Sequence, residues 1–407
     1  MKKIFLFLII FNFLLFNVYP QSPVKDDSQN VMTNGNNAFG IDLYNKLNSA
    51  EGNLFFSPYS ISSCFAITYV GAGKDTRKQM GDVFHFPAEQ EKCNLGFLNL
   101  NEKFKSIQKK GDVELSIANA LWVQNDYIFL NEFLNMIKKY YEATIENVDF
   151  KNNAKQIGGK INKWVEEKTR NKIKDIISGD GLSPNDKIVI VNAIYFYGKW
   201  AKQFKKYQTT DLPFWTSLSS STKVPMMQQE NNFRYGEDKS IQILELPYKG
   251  NDLSMVIFLP EQRDGISQLE KKLTFNNINL WMQNVSTCEV NVYLPKFKIE
   301  LTFGLNQILN SMGMPDAFDL KKADFSGMAD IKKSEPLYIS EAIHKAFVDV
   351  NEEGTEAAAA TAIRMATTES MPPKPKVFRA DHPFIFIIRE NSSGSILFIG
   401  RITNLKK

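Results

Sequence analysis

Residues 346–375 read Ala346-Phe-Val-Asp-Val350, Asn351-Glu-Glu-Gly-Thr-Glu-Ala-Ala-Ala-Ala-Thr-Ala362, Ile363-Arg-Met-Ala-Thr-Thr-Glu-Ser-Met371 and Pro372-Pro-Lys-Pro375. Helix propensity alone would coil the alanine run. Reading it with period two is more informative. One parity carries Thr355, Ala357, Ala359, Thr361, Ile363 and Met365, and the other carries Glu356, Ala358, Ala360, Ala362, Arg364 and Ala366. Both charges fall on the second parity, so the first is small or apolar throughout. Such a segment can be buried on one side as a strand and is slim enough to thread between existing strands. One ionised side chain on the clean parity would cost several kcal/mol and block that burial. No proline interrupts Gly354 to Met371, so every residue there can donate to a ladder, and Gly354 supplies a pivot. The competing reading is an exposed, alanine-rich linker helix.

Upstream, the chain alternates helical and strand-like segments from Asn36 onward with no repeat and no Pro/Gly-rich seam, which predicts one large α+β domain over 36–407. Ser57-Pro58 reads as a helix start, Ser as cap and Pro as first helical residue, leading into the buried helix Ile61 to Val70. Strands are predicted at Val113 to Val123, Ile188 to Tyr197, Leu253 to Leu259 and Glu289 to Leu294. Phe384 to Ile388 and Ile396 to Ile399, joined by Asn391-Ser-Ser-Gly394, predict a buried hairpin. The polar stretch 21–35 predicts an unstructured lead-in. Before it, Lys2-Lys3 and the apolar runs Ile4–Phe11 and Phe13–Phe16 predict a signal peptide over 1–20, too short to span a bilayer and cut near Gln21. Export outside a cell, or to a periplasm in a bacterium, follows.

Composition excludes several classes. With 43% hydrophobic and 23% charged residues the chain is neither disordered nor a disulfide miniprotein. A formal charge of +4, lower still without Lys2 and Lys3, gives no reason to expect nucleic acid or a membrane as partner. Cys64, Cys93 and Cys288 form no C-x-x-C pair, and His85, His344 and His382 sit at no ligand spacing, so no metal is expected; one disulfide stays open. Val70-Gly-Ala-Gly-Lys-Asp-Thr76 lacks the first glycine and the Ser/Thr of a phosphate loop and reads as a turn between helices. No G-x-S-x-G elbow occurs. Lys103, Lys105, Lys109 and Lys110, interleaved with Phe104 and Ile107, read as the solvated face of a helix, with a sulfated polysaccharide accelerator as the alternative. Asn284-Val-Ser and Asn391-Ser-Ser are glycan acceptors where the compartment glycosylates.

A set of landmarks then falls in one order: Asn53-Leu-Phe-Phe-Ser-Pro-Tyr-Ser-Ile61, Val191-Asn-Ala-Ile-Tyr-Phe196 with Gly198-Lys-Trp200, and Glu245-Leu-Pro-Tyr248 with Leu253-Ser-Met255. Gly313-Met-Pro-Asp-Ala-Phe318 with Ala323-Asp-Phe-Ser-Gly327 follows, then Glu352 to Ala362, then Phe378-Arg-Ala-Asp-His-Pro-Phe384. Over residues 36–405 the chain resembles the serpins, and within them the ovalbumin and leukocyte-elastase-inhibitor group. The resemblance implies a fold of three β-sheets and about nine helices, with an exposed reactive-centre loop at about 352–377. It implies a suicide inhibitor of serine proteases: the protease acylates on the loop, and the cut loop inserts as a new central strand before deacylation. No enzyme activity, metal or cofactor is implied, and a monomer is expected.

Matched positions acquire roles by the same resemblance. Gly354, Thr355, Glu356, Ala357, Ala358, Ala359, Ala360 and Thr361 match the hinge. Ser57, Ser60, Asn192 and His344 match the polar cluster beneath the sheet, the shutter. Trp200, Lys296 and Glu352 match the breach where insertion begins, with Lys296 and Glu352 as an ion pair. Family spacing from Gly354 puts the scissile bond at Thr368-Glu369; a stretch about two residues longer before Pro383 makes Ser370-Met371 the alternative. Thr or Ser before the bond suits an elastase-like or subtilisin-like target. A papain-like cysteine protease target, or a non-inhibitory carrier, chaperone or storage role, are the competing functions; charged, bulky or proline hinge residues would mark the latter, and the clean parity has none.

Overall fold

The computed structural model describes residues 27–330, 335–353 and 374–405. Its helices are α1 (Ser28–Leu47), α2 (Pro58–Gly71), α3 (Lys74–Phe84), α4 (Gln90–Lys109), α5 (Asn131–Tyr140), α6 (Phe150–Lys168), α7 (Ile266–Lys272), α8 (Phe275–Gln283) and α9 (Asn306–Met312). Strands β1 (Leu54–Phe56), β2 (Val113–Gln124), β3 (Thr144–Val148), β4 (Ile188–Gly198), β5 (Thr210–Trp215), β6 (Ser221–Glu237) and β7 (Ile241–Pro247) come first. After them run β8 (Leu253–Pro260), β9 (Ser286–Pro295), β10 (Phe297–Gly304), β11 (Ile339–Val350), β12 (Lys376–Arg379), β13 (Phe384–Glu390) and β14 (Ile396–Ile402). The predicted strands and the Ser57-capped helix all stand among these.

Two hydrogen-bonded sheets result. One has five strands in the order β10-β11-β4-β2-β3; the other has nine, β1-β14-β13-β8-β7-β6-β9-β12, with β5 also on β6. The third sheet of the resemblance is the β5-β6-β9-β12 end of the larger one. Strand β6 pairs with β5 along Ser221–Met226 and with β7 along Arg234–Glu237, so bonding never breaks between the two regions.

The five-stranded sheet is buried on both faces. Ile188, Ile190, Ile194 and Phe196 of β4 enter the main core shared with α2, while Val189, Val191, Ala193 and Tyr195 meet Ile161 and Val165 of α6 on the other side. A strand as apolar as β4, with Asn192 as its one buried amide, is what two covered faces require. Helix α2 sits under this sheet, and the Ser57 hydroxyl caps it by accepting from the Ser60 N–H at 3.1 Å, with Pro58 in the first turn. Such a cap contributes about 1 kcal/mol.

The expectation of a disordered 21–35 fails from Ser28 onward, where α1 begins. Ser28, Met32, Thr33 and Gly35 of that stretch are buried, while Asn30 and Asn34 stay exposed; just beyond it Asn36 donates to the Ile396 carbonyl (2.9 Å), and Asn37 donates to the Gly394 carbonyl (2.9 Å) and accepts from the Ile396 N–H (2.8 Å). A stretch polar in overall composition thus still supplies a buried helix face. The Gly71–Lys74 stretch is a turn between α2 and α3, as read.

Candidate functional site

The seam between β11 and β4 decides what the five-stranded sheet can do. The two strands run parallel, in register from Glu341↔Val189 to Val348↔Phe196, with an irregularity just after Ile339↔Ile188. β11 then ends at Val350, and the chain goes on through Asn351–Glu353 toward 354–373, re-entering the fold at β12. A segment leaving the top of β11 and folding back must run antiparallel to β11. Because β4 is parallel to β11, it would run antiparallel to β4 as well. One parallel ladder would thereby become two antiparallel ladders, the slightly stronger kind per residue.

Midway down the seam a buried polar cluster ties the strands together. His344 is fully buried, and its Nε2 accepts from the Ser57 N–H at 3.1 Å. A backbone N–H can only donate, so Nδ1 carries the ring proton and donates to Asn192 Oδ1. The Asn192 amide donates to the Ser60 hydroxyl (2.6 Å), the Ser60 carbonyl (3.1 Å) and Asn119 Oδ1. Asn119 in turn donates to the Ser63 hydroxyl at 2.8 Å. Burial pushes the His344 imidazole down from 6.5 to about 3, so it is neutral, as its two bonds require. Register aligns His344, Asn192 and Asn119 in one row across β11, β4 and β2. The row bonds the two strands of the seam to each other, and the start of α2 bonds to both, through Ser57 to His344 and through Ser60 to Asn192.

At the top of the seam, about 20 Å further along β11 at ~3.3 Å per residue, a second cluster clasps the chain as it leaves the sheet. Trp200 donates from its indole nitrogen to the Asn351 carbonyl (2.9 Å) and stacks on Tyr248 at 4.6 Å. Gly198 makes that stack fit, since a Cβ there would lie 2.6 Å from the Tyr248 ring. Glu352, 6% exposed, pairs with Lys296 at 2.7 Å and accepts from the Thr209 hydroxyl at 2.7 Å. Burial works to raise its carboxyl, but the bonds from Lys296 and Thr209 outweigh it and hold the group below the usual 4.5. Glu353 adds an exposed ion pair with Lys206, and its carbonyl accepts from the Tyr197 hydroxyl at 2.6 Å.

The family model described as Serpin (serine protease inhibitor) matches residues 34–405. The chain belongs to the serpins. It is 41% identical to the human leukocyte elastase inhibitor over 92% of this chain and 99% of that one. An uncharacterised serpin-like protein of Methanosarcina mazei is 41% identical over 91% and 87%. Uncleaved ovalbumin superposes with a TM-score of 0.82 at 30% identity, covering 92% of this chain and all of ovalbumin.

In this serpin Ser57, Ser60, Asn192 and His344 stand together, as do Trp200, Lys296 and Glu352. Sequence reading missed Asn119 and Ser63, which sit in ordinary strand and helix patterns and gain meaning only through the register row. It also missed Thr209. The hinge Gly354–Thr361 and the bond candidates Thr368, Glu369, Ser370 and Met371 lie outside the described residues, as does the signal peptide 1–20. Among the described residues no helix is long and apolar enough to cross a membrane, and no cluster of His, Cys, Asp and Glu is set to hold a metal ion. All three cysteines are free thiols, Cys64 and Cys93 buried. Of the four lysines in and just past α4, Lys103 faces Glu390 at 3.6 Å, Lys105 pairs with Glu142, and Lys110, which caps the helix, pairs with Asp252 at 2.6 Å. Asn284 is exposed, but Asn391 donates its side-chain nitrogen, the atom a glycan would occupy, to the Asn251 carbonyl at 2.8 Å.

Proposed function

We propose that this serpin is an exported suicide inhibitor of a serine protease with an elastase-like or subtilisin-like pocket. The parallel β4–β11 seam carries the reading, because any segment that followed β11 back into it would run antiparallel to both strands. The target's serine attacks the carbonyl carbon of Thr368 (alternatively Ser370), forming an ester and releasing the amine of Glu369 (or Met371) as a new N-terminus. Freed at that end, the loop parts Lys296 from Glu352, breaks the His344–Asn192 bond and runs down the seam. Crossing the length of β4, Ile188–Gly198, carries the tethered protease roughly 35 Å at ~3.3 Å per residue. That displacement pulls the acyl ester away from the machinery that would hydrolyse it. Lys2-Lys3 with the apolar run to Phe16 supports export, and the resemblance supports action as a monomer.

The test places a charge on the clean parity. Ala359→Arg should leave the rate of loop cleavage unchanged while raising the number of inhibitor molecules consumed per protease at least about tenfold, since burying an unpaired cation costs more than one factor of ten. Unchanged stoichiometry would remove insertion from the mechanism.

A further inference from the structure

We infer that His382 pins β12, the strand into which the 354–373 segment leads, to the end of β8 through one ring proton, and that raising the pH unpins it. β12 is four residues long and hydrogen-bonds to β9 alone, at the edge of the nine-stranded sheet. The residues just after it carry its other fastenings. The Ala380 N–H donates to the Tyr293 carbonyl at 2.9 Å, and the Asp381 carbonyl accepts from the Trp215 N–H at 2.7 Å. His382, 6% exposed, has an acceptor at each ring nitrogen: Asp381 Oδ1 lies 2.9 Å from Nδ1, and the Pro260 carbonyl lies 2.8 Å from Nε2.

A carboxylate and a carbonyl both accept, so the two bonds coexist only on an imidazolium. When the ring gives up a proton, Asp381 decides which one. The carboxylate keeps the hydrogen on Nδ1, and the Nε2 lone pair is left facing the Pro260 carbonyl. The bond within the segment survives and the bond across to β8 breaks. Losing a bond from a charged donor changes the pinned population by about tenfold or more. The charged groups on the segments packed there are Arg379 and Asp381 on its own, Glu261 and Arg263 after β8, and Lys239 and Lys272, which line one small cavity with Pro260; none is a histidine. Of the chain's three histidines, His344 is depressed to about 3 by burial and His85 bonds Asp42 of α1 at 2.8 Å, so only His382 stands at β12.

The pin stands apart from the proposed inhibition; its consequence, slack at the far end of the loop before it is cut, rests on that reading. The test compares the full uncleaved chain with His382→Gln, which keeps an N–H donor but cannot titrate, and with Asp381→Asn, which removes the group that selects the tautomer. Amide exchange over residues 376–382 is read by mass spectrometry at pH 5.5 and 8.5, each rate taken as a ratio to His382→Gln at the same pH. The ring nitrogens are followed by NMR of the chain labelled at histidine. Expected is a parent ratio that rises about tenfold between the two pH values, on the same midpoint as loss of the Nε2 proton, and that stays nearly flat in Asp381→Asn. His85→Gln should leave the rise intact. A flat parent ratio, or a neutral ring that keeps its proton on Nε2, overturns the pin. A full rise in Asp381→Asn overturns the choice of tautomer by Asp381. Failure to trap any protease touches none of these results.

Discussion

Replacing Glu352 by Gln removes one negative charge from a buried position and changes little in shape. The carboxylate accepts charge-assisted bonds from Lys296 and Thr209, each at 2.7 Å. A hydrogen bond to a charged partner contributes about 1.5–3 kcal/mol, a neutral one about 0.5–1.5, so the amide forfeits roughly 1–1.5 kcal/mol of the clasp. Ala forfeits both bonds, roughly 3–6 kcal/mol. If the loss falls on the closed sheet alone, the open population rises about tenfold for Gln and about a hundredfold or more for Ala. The assay is loss of monomer on mild heating, followed by size-exclusion chromatography, because an opened sheet edge accepts a strand from a second molecule. Glu353→Gln is the control: its pair with Lys206 is exposed, and such pairs contribute little, so its rate should stay within about twofold of the parent. Acid should mimic the substitution. The Glu352 carboxyl is held below 4.5, so its contribution is complete above the unfolded value and lost as pH falls through the depressed folded value. Equal rates for the Glu352 and Glu353 variants would refute the assignment of the clasp.

Asn192→Ala leaves the His344 Nδ1–H unpaired in a fully buried site, which should cost about 2–4 kcal/mol, a Tm loss of roughly 3–5 °C for a chain this long. Asn119→Ala, at the end of the row, should cost about half as much. His344 is depressed to about 3, so between that value and 6.5 the unfolded chain binds the extra proton. Stability from this group is full above 6.5 and falls on acidification by up to about 1.4 kcal/mol per pH unit; urea midpoints at pH 7, 6 and 5 should show the slope, and His344→Gln should flatten it. Burial pushes the Cys93 thiol up to about 12 and raises Cys64 as well. Iodoacetamide should therefore label only the half-exposed Cys288 in the native protein and all three thiols in urea, checked by peptide mass.

The sequence was most legible where one residue type has one structural use. Ser57-Pro58 marked a helix start, and β4 announced itself through the branched and aromatic residues of Ile188 to Tyr197. Lys296 and Glu352 could be paired from the family landmarks although they lie far apart in the chain. The stretch 28–35 misled because its overall polarity hides which residues a helix turns inward: Ser28, Met32, Thr33 and Gly35 are buried, while Asn30 and Asn34 stay exposed. Asn119 and Ser63 were invisible because their role depends on strand register rather than on local pattern. The lysine face around α4 was legible from its spacing with Phe104 and Ile107, but its counter-charges were not, since Glu142, Asp252 and Glu390 lie in three separate places in the chain.

Incubating the purified protein with an elastase and with a subtilisin, then running a denaturing gel and weighing the released C-terminal peptide, tests the account most directly. It predicts a covalent complex that survives SDS and a peptide beginning at Glu369, or at Met371 for the alternative bond. Cleavage with no complex across a broad protease panel, and no gain in heat stability of the cut chain, would contradict it.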